Sequence, residues 1–250
     1  MPAKRIIACL DVKNGRVVKG VRFEGLRDTG DPATCALQYC REGIDELVML
    51  DVSATLEGRL ASLQTVEHIS SEIDIPLTVG GGVRGEDDAI AILDAGADKV
   101  ALNTAAVAEP AVLQRLASRY GSQCIVLSID ARRVNGGYQV ATRSATQTTG
   151  QDALQWARIG AALGAGEILL TAIDRDGTLK GFDLALIADF SRALDVPLIA
   201  SGGARNADSF ADALAAGADA ALAASVFHDG LLSVAAVKQR CRERAIGVRP

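Results

Sequence analysis

Short apolar runs alternate with longer amphipathic stretches from one end of the chain to the other. The runs are Arg5–Asp11, Asp45–Asp51, Ile75–Val79, Asp98–Leu102, Gln123–Asp130, Gly166–Ile173, Val196–Ala200 and Asp219–Ala223. Several are nearly continuous in Ile, Val and Leu, the pattern of strands buried on both faces of a parallel sheet. The stretches between them carry helix punctuation. Asp31 before Pro32 and Glu109 before Pro110 mark starts, while Gly43, Gly96, Gly164 and Gly217 mark ends. Eight strand–helix units in 250 residues predict an α/β fold, a (β/α)8 TIM barrel filling residues 1–250 as one domain. A doubly wound open sheet is the competing topology, but nothing in the chain resembles its GxGxxG turn.

An internal repeat favours the barrel. Ile75-Pro-Leu-Thr-Val-Gly-Gly-Gly-Val-Arg84 returns 121 residues on as Val196-Pro-Leu-Ile-Ala-Ser-Gly-Gly-Ala-Arg205. Ala95-Gly-Ala-Asp98 returns as Ala216-Gly-Ala-Asp219, and Glu46 as Glu167, at the same spacing. Asp11 and Asp130, each closing an apolar run, lie 119 residues apart. A period this long describes two similar half-barrels, not the 20–50-residue unit of a solenoid.

Composition narrows the function. Hydrophobic residues make up 49% and charged residues 23%, as in a globular protein. A net charge of −5 without a basic stripe argues against nucleic acid as partner. No apolar run approaches the ~20 residues that span a membrane, and the N-terminus is too short in apolar residues for a signal peptide. Five cysteines with no CxxC pair read as reduced thiols of a cytoplasmic protein. With two distant histidines, His68 and His228, neither a metal site nor a cofactor is expected.

Barrel chemistry belongs at the C-terminal ends of the strands. There Gly80-Gly81-Gly82 is followed one strand later by Asn103-Thr104, and Gly202-Gly203 by Ala224-Ser225. Glycines admit an anion close to the backbone, where N–H groups and short hydroxyls donate to it. Two such cradles in register imply a ligand with a phosphate at each end. Asp11 and Asp130 close the first and fifth strands, so they face each other across the mouth, placed for acid–base work on the middle of that ligand. For Asp51 and Asp174, which also end strands, a catalytic role and simple loop capping both stand open. The long connections 12–30 and 131–149 read as hairpins that cover a ligand. Lys19 in the first either closes over a phosphate or a developing negative charge, or is a solvated loop lysine.

Taken together, Lys4–Val12, Asn14–Gly20, Leu77–Gly82, Asn103–Ala106, Ile173–Thr178, Ala200–Gly203 and Ala220–His228 resemble the cyclase subunit of imidazole glycerol phosphate synthase, over nearly the whole chain. The ProFAR isomerase of the same pathway shares the repeat and the two aspartates. The Cys9-Leu-Asp-Val12 start and the Arg175-Asp-Gly-Thr178 loop favour the cyclase. The resemblance implies that PRFAR, a bis-phosphate, reacts with ammonia to give imidazole glycerol phosphate and AICAR. It implies that Asp130 binds or protonates the group at the cleaved carbon–nitrogen bond and that Asp11 shuttles a proton. Gly82, Asn103 and Thr104 then hold one phosphate; Asp176, Gly177, Gly203, Ala224 and Ser225 hold the other; Asp51, Ser144, Thr171 and Ser201 line the cleft.

Some residues depart from that pattern: Arg22, Ala101, Ala172, Arg205, residues 143–149 and Asp229–Leu232. The altered hairpin leaves open a paralogue acting on a different sugar nucleotide. A non-catalytic barrel would have no need of both aspartates. On the opposite face, Arg5, Glu46, Lys99 and Glu167 start strands 1, 2, 4 and 6 and predict a neutral ring of four charges, on fold grounds an ion-pair plug. The resemblance implies instead a gate through which ammonia enters from a glutaminase subunit bound at that face, in contact with Asp98 and Gln123.

Overall fold

A computed structural model describes residues 3–21 and 24–250, with side chains of all of these except 19–29. Its strands, in chain order, are β1 (Arg5–Lys13), β2 (Arg16–Val21), β3 (Glu24–Gly30), β4 (Glu46–Asp51), β5 (Leu77–Gly80), β6 (Lys99–Leu102), β7 (Ile125–Val134), β8 (Gly137–Thr142), β9 (Gln147–Asp152), β10 (Glu167–Ala172), β11 (Leu198–Ser201) and β12 (Ala220–Ala223). The helices are α1 (Pro32–Arg41), α2 (Ala54–Glu57), α3 (Leu63–Glu72), α4 (Glu86–Asp94), α5 (Thr104–Ala108), α6 (Ala111–Tyr120), α7 (Ala153–Ala162), α8 (Leu184–Ala193), α9 (Ala207–Ala215), α10 (Ser225–His228) and α11 (Val234–Glu243).

Eight strands pair in parallel in the order β1-β4-β5-β6-β7-β10-β11-β12, and β12 returns to β1, so the sheet is a closed (β/α)8 barrel. Closure leaves these strands no free edge, and helices cover their outer face. The main core lies between strands and helices and includes Trp156, Phe190 and Phe210. A second apolar cluster fills the barrel itself: Ile7, Cys9, Val48, Ala101, Val126, Leu169, Ile199, Ala220 and Leu222. Being buried on both faces, the strands are apolar at successive positions rather than alternating ones.

The half-repeat recurs in the contacts. Asp98 Oδ2 accepts the Leu77 N–H at 2.8 Å, and Asp219 Oδ2 accepts the Leu198 N–H at 3.0 Å. Each carboxylate thereby satisfies a strand-leading N–H on its neighbour. Asp45 accepts the N–H of Ile6, the second residue of β1, at 2.7 Å, although the repeat places Gly166 opposite it. These bonds explain why the strands begin one residue after Asp45, Asp98 and Asp219. Pro32 opens α1 behind the Asp31 cap, whereas Pro110 occupies the cap position of α6.

Two antiparallel excursions leave the mouth. The first strand runs on into β2 and β3, and the fifth into β8 and β9. They are the two connections whose length marked them as covers. Among the described residues, no helix is long and apolar enough to cross a membrane.

Candidate active site

The barrel mouth holds two adjoining cavities. One, with about 780 Å³ of space open to solvent, is lined by Asp11, Thr171, Asp176, Gly177, Ser201, Gly203, Ala224 and Ser225 among others. The other, about 640 Å³, is lined by Asp51, Gly82, Asn103, Thr104 and Ser144 among others. Leu50, Ser128 and Asp130 belong to both walls. The shared residues join the two into one cleft with a glycine-lined end on each side, and Asp130 stands at the junction.

Asp11 ends the inward-facing part of β1, and Asp130 that of β7, the fifth barrel strand. Both carboxyls are pushed up from 3.8 to about 7, first by burial and then by the negative charge of Asp176. Opposing hydrogen bonds are weaker: the Cys9 thiol lies 3.4 Å from Asp11 Oδ1, and Asn103 Nδ2 donates to Asp130 Oδ2 at 3.0 Å. Near neutral pH, each group therefore exists in both acid and base forms. That is the condition for passing protons in either direction.

Asp176 sits on the loop after β10. Its own N–H is given to the Ala172 and Ile173 carbonyls, so what it adds to the cavity is a carboxylate charge. Among the described residues, the N–H groups of Gly177, Gly203, Ala224 and Ser225 donate to no protein acceptor. All four residues line the larger cavity. A Cβ on Gly203 would lie 2.4 Å from the Gly181 carbonyl oxygen, at a φ of +97°. At the other end a Cβ on Gly82 would lie 1.9 Å from the Arg59 carbonyl oxygen, at a φ of +69°. Only glycine lets the loops close this tightly.

The first cradle is tied to the β8–β9 hairpin. Thr104 Oγ1 accepts the Arg143 N–H at 3.0 Å, and Ser144 Oγ donates to the Val52 carbonyl at 3.1 Å. Arg143, Ser144 and Ala145 all have φ between 54° and 62°, a run of left-handed non-glycine residues at the hairpin tip. Such backbone persists only where surrounding contacts hold it. The Gly82 N–H donates to Thr55 Oγ1, and the amide oxygen of Asn103 is buried without a partner.

Asp51 is buried, and both its oxygens are in use. They take the Ser53 and Ala54 N–H groups and a two-pronged contact from Arg59. This geometry is that of a carboxylate holding the loop after β4. Asp174 likewise accepts the Arg133 N–H. The Lys19 side chain lies outside the described residues, as does Arg22. Arg205 is exposed, with its N–H on Ser209 Oγ.

Sequence reading passed over Cys9 and Ser128. Each sits two residues before a mouth aspartate, and the two-residue period of a strand aims them at the same cavity. It also gave His228 no role, although its ring bridges Tyr39 and the Cys9 carbonyl. Among the described residues, no group of His, Cys, Asp and Glu side chains is arranged to hold a metal ion.

At the opposite end of the barrel, the four charges meet. Glu46 accepts from Arg5 at 2.7 Å and from Lys99 at 2.7 Å; Glu167 accepts from Lys99 at 2.8 Å and also from Arg5. Thr78 Oγ1, fully buried, adds a bond to Glu46. Burial lowers the Arg5 pKa, but Glu167 and Glu46 outweigh it and hold the guanidinium above its ordinary value. The apolar interior cluster separates this ring from the mouth. Asp98 and Gln123 are exposed on the same rim.

Residues 5–233 match the family described as histidine biosynthesis protein. The imidazole glycerol phosphate synthase subunit HisF of Corynebacterium diphtheriae is 53% identical over 245 residues, 95% of each chain. Subunits of the same name from Mycobacteroides abscessus and Sulfurisphaera tokodaii are 54% and 52% identical, over 99% and 100% of each chain. Near-complete coverage on both sides leaves no large segment unmatched. The chain thus belongs to the histidine biosynthesis protein family, among the HisF subunits of imidazole glycerol phosphate synthase.

Proposed function

We propose that the chain is the ammonia-using cyclase, converting PRFAR to imidazole glycerol phosphate and AICAR by acid–base catalysis. The observation that carries this is the single cleft with Asp130 at its junction, Asp11 in its wall and a glycine-lined cradle at each end. The cradle of Gly82, Asn103 and Thr104 takes one terminal phosphate, and that of Gly177, Gly203, Ala224 and Ser225 takes the other. Between them, Asp130 holds or protonates the nitrogen at the carbon–nitrogen bond that breaks, while Asp11 moves a proton during amination and ring closure. Thr171 and Ser201 contact the middle of the ligand, and Lys19 closes over a phosphate. Proton transfer of this kind contributes typically ~10²–10⁴-fold in rate.

A glutaminase subunit docks on the N-terminal face against Asp98 and Gln123. Ammonium predominates in water near neutral pH, so ammonia keeps its nucleophilic form by travelling inside the protein. The ring of Arg5, Glu46, Lys99 and Glu167 admits it to the apolar interior, which leads to the mouth. Turnover of the purified chain with PRFAR and an ammonium salt, compared with turnover of ProFAR, tests the reaction. AICAR release from PRFAR supports the cyclase; rearrangement of ProFAR without PRFAR turnover would assign the isomerase reaction instead.

A further inference from the structure

The last barrel strand leaves the wall at a place set by its hydrogen bonds. β1 and β12 pair from Arg5 with Ala220 to Ala8 with Ala223, and the Arg5 N–H donates to the Asp219 carbonyl. In a parallel ladder this pattern recurs every second residue. Continued upward, it would bring the Ser225 N–H to the Cys9 carbonyl. The ladder stops at Ala223, and that carbonyl is taken by His228 Nε2 at 3.0 Å. The Ser225 N–H is left without a protein acceptor among the described residues, beside Gly203 in the larger cavity.

His228 ends the single turn of α10, and its Nδ1 meets the hydroxyl of Tyr39, buried on α1. A carbonyl only accepts, so Nε2 carries the proton, and the neutral ring then accepts the Tyr39 O–H at Nδ1. The Cys9 carbonyl thus selects the tautomer, and the Tyr39 hydroxyl, able to donate or accept, complements it at Nδ1. The half-repeat places Val107 at the corresponding position of the first half. The first cradle has no such side chain.

We infer that His228 is a positioning residue for the second cradle: by occupying the Cys9 carbonyl, it keeps the Ser225 N–H off the ladder and turned toward a phosphate. This rests on the reading of Gly177, Gly203, Ala224 and Ser225 as a phosphate cradle. Without His228, the vacant carbonyl draws the Ser225 N–H back, β12 lengthens by two residues, and the cradle loses a donor.

The test is a titration of the ¹⁵N-labelled full chain with inorganic phosphate, following the amide resonances of Ser225 and Thr104. His228→Ala should weaken phosphate binding at Ser225 by about three- to tenfold, the scale of one hydrogen bond, and leave Thr104 unaffected. His228→Gln, whose side-chain amide supplies a donor in place of Nε2, should recover most of the loss. In turnover, His228→Ala should raise the KM for PRFAR more than it lowers kcat. If the alanine variant does not fold, His228→Phe fills the space without a donor and gives the same comparison. Unchanged affinity at Ser225, or equal weakening at both cradles, would overturn the positioning role while leaving the cradle standing. A wild-type Ser225 resonance that ignores phosphate would instead remove the cradle itself.

Discussion

Asp11 and Asp130 are half-buried in the wall of the mouth, where partial desolvation and the like charge of Asp176 raise both carboxyls from 3.8 to about 7. The same shift bears on stability. Below about pH 4, the folded and unfolded chains both keep these protons. Between about pH 4 and 7 the unfolded chain gives them up while the folded one retains them, so this contribution to stability is lost as pH rises. Asp11→Asn and Asp130→Asn should therefore raise stability by roughly 1–3 kcal/mol each at pH 8. The gain should fade toward pH 4, which thermal melts at the two pH values will show. Asp176→Asn removes the second cause of the shift. It should lower both carboxyl pKa values, and the acid limb of the kcat–pH profile should move to lower pH. An unmoved limb would mean that burial alone sets the protonation of the pair.

Among the elements, the barrel strands were legible because a short run of consecutive Ile, Val and Leu between turn residues suits a strand buried on both faces. Their edges were less so. Asp45, Asp98 and Asp219 read as strand residues, yet they stand just outside and spend their carboxylates on a neighbouring strand. β9 carries exposed polar residues along most of its length, so no hydrophobic pattern announced it. Asp51 shows a different limit: the Arg59 contact that occupies its carboxylate depends on the path of the loop after β4, which no residue pattern encodes. Tyr39 and His228, 189 residues apart, meet only once the barrel closes. The glycine cradles were visible as motifs, and the structure adds why the side chain must be absent. Gly203→Ala would drive a Cβ to 2.4 Å from the Gly181 carbonyl oxygen in a left-handed conformation. The expected cost is about 1–3 kcal/mol, with a raised KM for PRFAR as the loops part. A melt and a KM measurement on that variant check both.

The closed barrel carries a charged ring at its floor and a carboxylate-lined cleft at its mouth. The ring was legible as four strand-leading charges, and the structure shows all four ion pairs made. Pairing alone fits a plug as well as a gate, and function separates them. Lys99→Ala, in complex with the glutaminase, should depress glutamine-dependent synthesis at least several-fold more than ammonium-dependent synthesis; equal losses would mark a plug. Whether two aspartates work between two phosphate cradles is decided at the mouth. Wild-type, Asp11→Asn and Asp130→Asn chains, each shown folded by a cooperative melt, should be assayed for PRFAR turnover with saturating ammonium salt. Each variant should lose about 10²-fold or more of its turnover, with PRFAR binding retained. Wild-type turnover in both variants would contradict an acid–base role for the pair.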